Sequence, residues 1–225
     1  MTTLPIVINA AALGLMLAVL FGMIFWSRPP SPVGPALAVL ALSDSVLIGI
    51  NLLIQVQGYV NATDPHLAVL TNLGVDVYAL TTLTAFILAV AIGNVLREAY
   101  NVLIRAGLVL WVLFQGPLWQ YELLSGPLEA GLSGIEINLE SPMAFYAFMI
   151  ILTYQGLTLW LVFRSRHHSR YKWLLWGLVV LQGGHILALI IPVLRVLGAA
   201  TWVSAPAALL FGYSLFRERT APAPA

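Results

Sequence analysis

Pro5 to Trp26 is an unbroken run of apolar and small residues, interrupted by Asn9 alone and carrying no charge. Coiled as a helix rising about 1.5 Å per residue, such a run matches the roughly 30 Å hydrocarbon core of a bilayer. Six further apolar segments follow: Val33–Gln57, His66–Leu96, Tyr100–Trp119, Met143–Phe163, Trp173–Leu197 and Ala199–Phe216. The breaks between them are polar or proline-rich, as in Arg28-Pro29-Pro30-Ser31-Pro32, Asn61-Ala62-Thr63-Asp64-Pro65 and Ser165-Arg166-His167-His168-Ser169-Arg170. The chain is 8% charged, against roughly a quarter in soluble domains. Mean hydropathy is +0.94. These features predict an all-α integral membrane bundle of seven transmembrane helices in one domain, residues 1–219, with a short disordered tail over 220–225.

Basic residues orient the bundle. In a seven-span layout Arg28, Arg97, Arg105, Arg164, Arg166, Arg170, Lys172, Arg217 and Arg219 share one side, and only Arg195 lies on the other. Asp64, Glu122, Glu129, Glu136 and Glu140 collect opposite them. The expectation is an N-terminus outside, a C-terminus in the cytoplasm and a multi-pass protein of the cytoplasmic (inner) membrane. Met1-Thr2-Thr3-Leu4-Pro5 lacks a basic leader region, so the first segment reads as a retained span. A net charge of +1 without basic patches gives no sign of nucleic acid, and zero cysteines exclude disulfides, thiol catalysis and iron–sulfur ligation.

Within this apolar background the intramembrane polar residues are the anomaly. A carboxylate at bilayer depth costs at least about 2.5 kcal/mol to insert. Asp44, Asn51 and Gln55 recur at spacings of seven and four, so they share one face of the second helix. Counting inward from the span ends puts Asp44, Asp76, Gln155, Gln182 and His185 at similar depth, with Tyr154 beside Gln155 and Asn72 a turn from Asp76. One reading is a midplane ligand pocket of Asp44, Asn51, Asp76, Gln155, Gln182 and His185, opening outward under the Gln120–Pro142 loop. The other is interhelical hydrogen bonding that fixes packing, worth under about 2 kcal/mol per contact.

Ala10, Gly14, Ala18 and Gly22 follow one another every four residues in the first helix. Such a row is expected to be a packing seam within the bundle, with dimerisation as the alternative. Gly177 and Gly184 suggest a second close contact, and Pro192 and Pro206 are expected to kink the last two helices. Trp26, Trp160 and Trp173 at one interface, and Trp119, Tyr121 and Trp202 at the other, read as aromatic belts.

Cofactor chemistry is narrow. The single lysine, Lys172, stands at the edge of the sixth helix, so no retinal Schiff base can form inside. His185 is the one intramembrane histidine, which argues against bis-histidine haem and leaves single axial ligation of a haem or chlorophyll-type pigment as its cofactor role. Walker, zinc-protease and nucleophile-elbow motifs are all missing, so the chain reads as non-enzymatic.

Arg164 to Arg170, then Tyr171-Lys172-Trp173-Leu174-Leu175, Ile191-Pro192 and Pro206-Ala207-Ala208-Leu209-Leu210 through Leu215-Phe216-Arg217, resemble the closing helices of the seven-helix N-terminal sensor region of bacterial histidine kinases. The first two helices, joined across Arg28–Gly34, fit that layout. The resemblance implies a ligand-responsive membrane sensor placed ahead of a cytoplasmic output domain. Here the sequence runs to Ala225 with no such domain, so a protein partner is expected to carry the output. The alternatives are an accessory subunit of a respiratory or photosynthetic complex and, third, a small transporter.

Overall fold

The computed structural model describes residues 4–26, 32–60, 66–93, 98–121, 142–167, 169–191 and 201–220. Among these it shows seven α-helices and no strand: α1 Leu4–Trp26, α2 Val33–Val60, α3 His66–Ile92, α4 Glu98–Tyr121, α5 Pro142–Arg164, α6 Lys172–Ile190 and α7 Ser204–Thr220. Among the described residues three stretches are long and apolar enough to cross a bilayer: Leu4–Phe25, Val33–Gly58 and Val69–Ile92. Phe148–Arg164 is a shorter apolar stretch. This is the composition of a helical membrane protein.

Packing runs α1 to α2, α2 to α3, α3 to α5, α5 to α6, α6 to α7, and α7 back to α1. α4 lies against α3, and α3 also touches α6 across the ring. The third helix is therefore the centre of the molecule, with 83% of its most apolar window buried, whereas α1 has 28%. Leu83, Phe86 and Ala89 on α3 join Met16, Leu40, Leu161, Leu178 and Phe211 in the main core.

Several boundaries differ from the expected ones. α3 stops at Ile92 rather than Leu96. α6 stops at Ile190 rather than Leu197, because Ile191 precedes Pro192 and is extended, with φ −89° and ψ 111°. α7 begins at Ser204, not Ala199, so Pro206 falls in its first turn, where no intrahelical N–H bond is lost. Pro206 starts this helix instead of kinking it. Pro192, the 122–141 portion of the loop, the Asn61-Ala62-Thr63 triplet and the 221–225 tail lie outside the described residues.

The close approach expected of the sixth-helix glycines is present. A β-carbon on Gly177 would run into the Phe211 ring, and one on Gly184 would run into Val203. The row on α1 behaves differently. Ala10, Gly14 and Ala18 face outward, only Gly22 is buried, and a β-carbon on Gly14 would meet nothing within 4 Å. A strict four-residue step turns about 40° around the helix each time, so the row crosses the side opposite Asn9, Ala12, Met16, Val19 and Met23 and turns back toward that inward face only at Gly22. Ala10, Gly14 and Ala18 are therefore uncovered among the described residues.

Near the α5–α6 junction, Arg164 lies over Trp160, Arg170 over Tyr171 and Lys172 over Trp173, at 5.3, 5.6 and 5.9 Å from the ring centroids. Cations held on aromatic faces suit a headgroup boundary.

Candidate functional site

The polar residues of the interior sort into three groups. The first holds the bundle together where α1 begins and α2 ends. Asn51 Nδ2 donates to Thr201 Oγ1 at 2.6 Å, Thr201 Oγ1 to Asn9 Oδ1 at 2.7 Å, and Asn9 Nδ2 to Gln55 Oε1 at 2.8 Å. All four side chains are buried, and the three donors that link them each meet an acceptor from a different residue, leaving only Gln55 Nε2 without a partner. Asn51 is thus engaged in a network joining α1, α2 and the segment before α7. Gln55 shares the face of Asp44, as the spacing requires, but its carbonyl is committed to Asn9.

Two turns along α2 the second group has another character. Asp44 has no solvent exposure, and neither carboxylate oxygen has a hydrogen-bond partner. The Ser204 hydroxyl at the start of α7 approaches the Asp44 carboxylate without reaching hydrogen-bond geometry. Tyr78 of α3 lies within electrostatic reach of Asp44. The Tyr78 hydroxyl accepts a bond from Gln155 Nε2 of α5 at 2.8 Å, and its ring centroid lies 5.0 Å from that of His185 on α6. Gln182, less than one turn before His185, is fully buried with both amide atoms lacking hydrogen-bond partners. Tyr78 is the hub: it connects Asp44, Gln155 and His185 from three other helices.

Asp76 belongs to neither group. It is two residues from Tyr78, about 200° around α3, and it lines a crevice facing α4 and α5. The expected single pocket is therefore divided. Asp44, Gln155 and His185 gather around Tyr78, with Ser204 beside Asp44 and Gln182 less than a turn before His185 on α6; Asn51 sits in the closed network, and Asp76 faces elsewhere. Tyr154 turns from Gln155 as well, donating from its hydroxyl to the Leu103 carbonyl of α4 at 2.5 Å.

Chemically, the Tyr78 cluster offers a carboxylate, two primary amides, a hydroxyl, a phenol and an imidazole, all buried. A buried polar atom without a partner costs about 1–3 kcal/mol, and a charge costs more. Several such atoms lie together here. Such an acceptor-rich set fits a small molecule that brings a positive charge or several hydrogen-bond donors. Among the described residues no three His, Cys, Asp or Glu side chains converge as a metal site. The Tyr78 ring covers one flank of the His185 imidazole.

Asn9, Tyr78, Thr201 and Ser204 are absent from the site predicted by sequence. Tyr78 carried one usable signal: it stands mid-helix, far from the interfaces where membrane tyrosines ordinarily gather. Asn9 carried another, as the only strongly polar side chain in its segment. No protein-family model, curated protein or solved structure matches the chain.

Proposed function

We propose that this protein is a receptor-like sensor of the cytoplasmic membrane, with all seven helices spanning and the N-terminus outside. A small ligand with a cationic or donor-rich head binds among Asp44, Gln182, His185 and Ser204, and a partner protein relays the signal. The observation that carries this reading is the Asp44 carboxylate, wholly buried with both oxygens lacking a hydrogen-bond partner. The surrounding side chains come from α3, α5, α6 and α7, so a ligand there touches most of the bundle at once. α7 is the natural lever: Ser204 stands at its start and Arg217 near its end, about 20 Å away along the axis.

The test is a thermal-shift screen of the purified full chain against small ammonium compounds and neutral polar compounds. A compound that stabilises the wild type and fails with both Asp44→Asn and His185→Ala supports the site. If the response survives both substitutions, the ligand binds elsewhere.

The second reading, an accessory subunit of a larger membrane complex, draws on the outward row Ala10, Gly14 and Ala18. Small residues exposed on a largely uncovered helix let another helix approach closely. Gentle extraction followed by mass spectrometry separates the readings. A stable multi-subunit preparation that Gly14→Leu disperses favours the subunit.

A further inference from the structure

Between α3, α4 and α5 lies a cavity of about 30 Å³, lined by Asp76 and Thr82 from α3, Gly107 and Trp111 from α4, and Tyr154 from α5. That is room for one or two water-sized particles. Asp76 is 1% exposed, and its two carboxylate oxygens have no hydrogen-bond partner; the equally buried Thr82 hydroxyl also has none. The donors beside them are already committed to backbone. Trp111 Nε1 donates to the Asp76 carbonyl at 2.9 Å, and the Tyr154 hydroxyl donates to the Leu103 carbonyl. The polar capacity that is left is almost all oxygen acceptor: a carboxylate, a phenolic oxygen and one hydroxyl.

Hard oxygen acceptors around a water-sized space suit a small cation. One carboxylate balances one positive charge, so a divalent ion would leave a net charge buried. Asp76 and Thr82 are six residues apart, about 9 Å along α3, so one ion cannot touch both. We propose that the cavity binds a single partly hydrated monovalent cation, sodium, potassium or ammonium, on the Asp76 carboxylate, its water held toward Thr82 and Tyr154. Gly107 sets the width, because a β-carbon there would come within 2.6 Å of Leu83 Cδ1 and 2.8 Å of Tyr154 Oη. This site is separate from the Asp44 cluster and does not depend on its function.

The experiment uses the purified full chain in detergent at constant ionic strength, with choline chloride replaced stepwise by sodium, potassium or ammonium chloride. Choline is too large for the cavity. At least one small cation should raise the unfolding midpoint saturably, by about 2–5 °C. Asp76→Asn should weaken the apparent affinity at least tenfold and Thr82→Val a few-fold. Asp44→Asn should leave the cation titration in place, which separates this site from the ligand cluster. A midpoint indifferent to which cation replaces choline overturns the proposal, as does an Asp76→Asn protein that titrates like the wild type. Should Asp76→Asn fail to fold, Thr82→Val decides: a weakened titration supports the site and an unchanged one overturns it.

Discussion

The Asn9–Thr201 network and the Asp44 cluster are equally buried, line the same face of α2 and stand two turns apart, yet one is closed and the other open. In the first, three consecutive hydrogen bonds of 2.6–2.8 Å pass from Asn51 to Gln55, and only the Gln55 amide nitrogen is left without a partner. In the second, the Asp44 oxygens, the Ser204 hydroxyl and both ends of the Gln182 amide lack hydrogen-bond partners. Burial alone therefore does not separate packing from binding. The difference lies in whether the partners come from the chain itself, since a satisfied network stabilises and an unsatisfied one does not.

That contrast breaks first at Asn9. Asn9→Leu keeps the volume but strips the Thr201 proton of its acceptor and the Gln55 carbonyl of its donor, so stability should fall by about 2 kcal/mol. Unfolding in mixed detergent measures this, and adding Gln55→Leu, which removes the stranded carbonyl, should recover part of it, whereas Thr201→Val should not, because it takes the acceptor from Asn51 Nδ2. A silent Asn9→Leu would mean that closure carries no energy. Next in size is Gly184→Ala, which drives a methyl into Val203 and should cost about 1–2 kcal/mol. Because Ser204 follows Val203, the same variant should weaken ligand response, and a change costing nothing would show that the α6–α7 register is set elsewhere. Asp44→Leu should have the opposite sign to Asn9→Leu: unchanged or up to about 1 kcal/mol more stable, with ligand response lost. A clear loss of stability would move Asp44 into the closed class. The smallest effect is expected between Ser43 and Thr84, whose hydroxyls meet at 2.9 Å. A double-mutant cycle there should give a coupling of about 0.5 kcal/mol, and a coupling of zero would show that this contact adds nothing to packing.

Much of the helical layout could be read from the apolar runs, because a bilayer-length stretch without charge has few other uses. The ends were harder, since Ile191 and Ser204 are apolar or small and only the local backbone shows where a helix stops. Asp44, Gln155, Gln182 and His185 were legible as a group because polarity at depth is itself the signal. Depth gives height along a helix but not direction around it, which is why Asp76 was placed with them although it faces α4 and α5. Tyr78 was hidden by its ring, which passes for ordinary core. The row from Ala10 to Gly22 announced a close approach without naming the neighbour.

The closed network also dates itself. Asn9 and Gln55 are 46 residues apart, but Thr201 lies 192 residues beyond Asn9. At typical synthesis rates of about 5–20 residues per second, roughly 10–40 s pass between the emergence of Asn9 and that of Thr201. During that interval the apolar packing of α1 on α2 and the Asn9–Gln55 bond can form, but Asn51 lacks its threonine. Thr201 is the last member of the network to be made, so the series from Asn51 to Gln55 closes only after the segment before α7 has emerged.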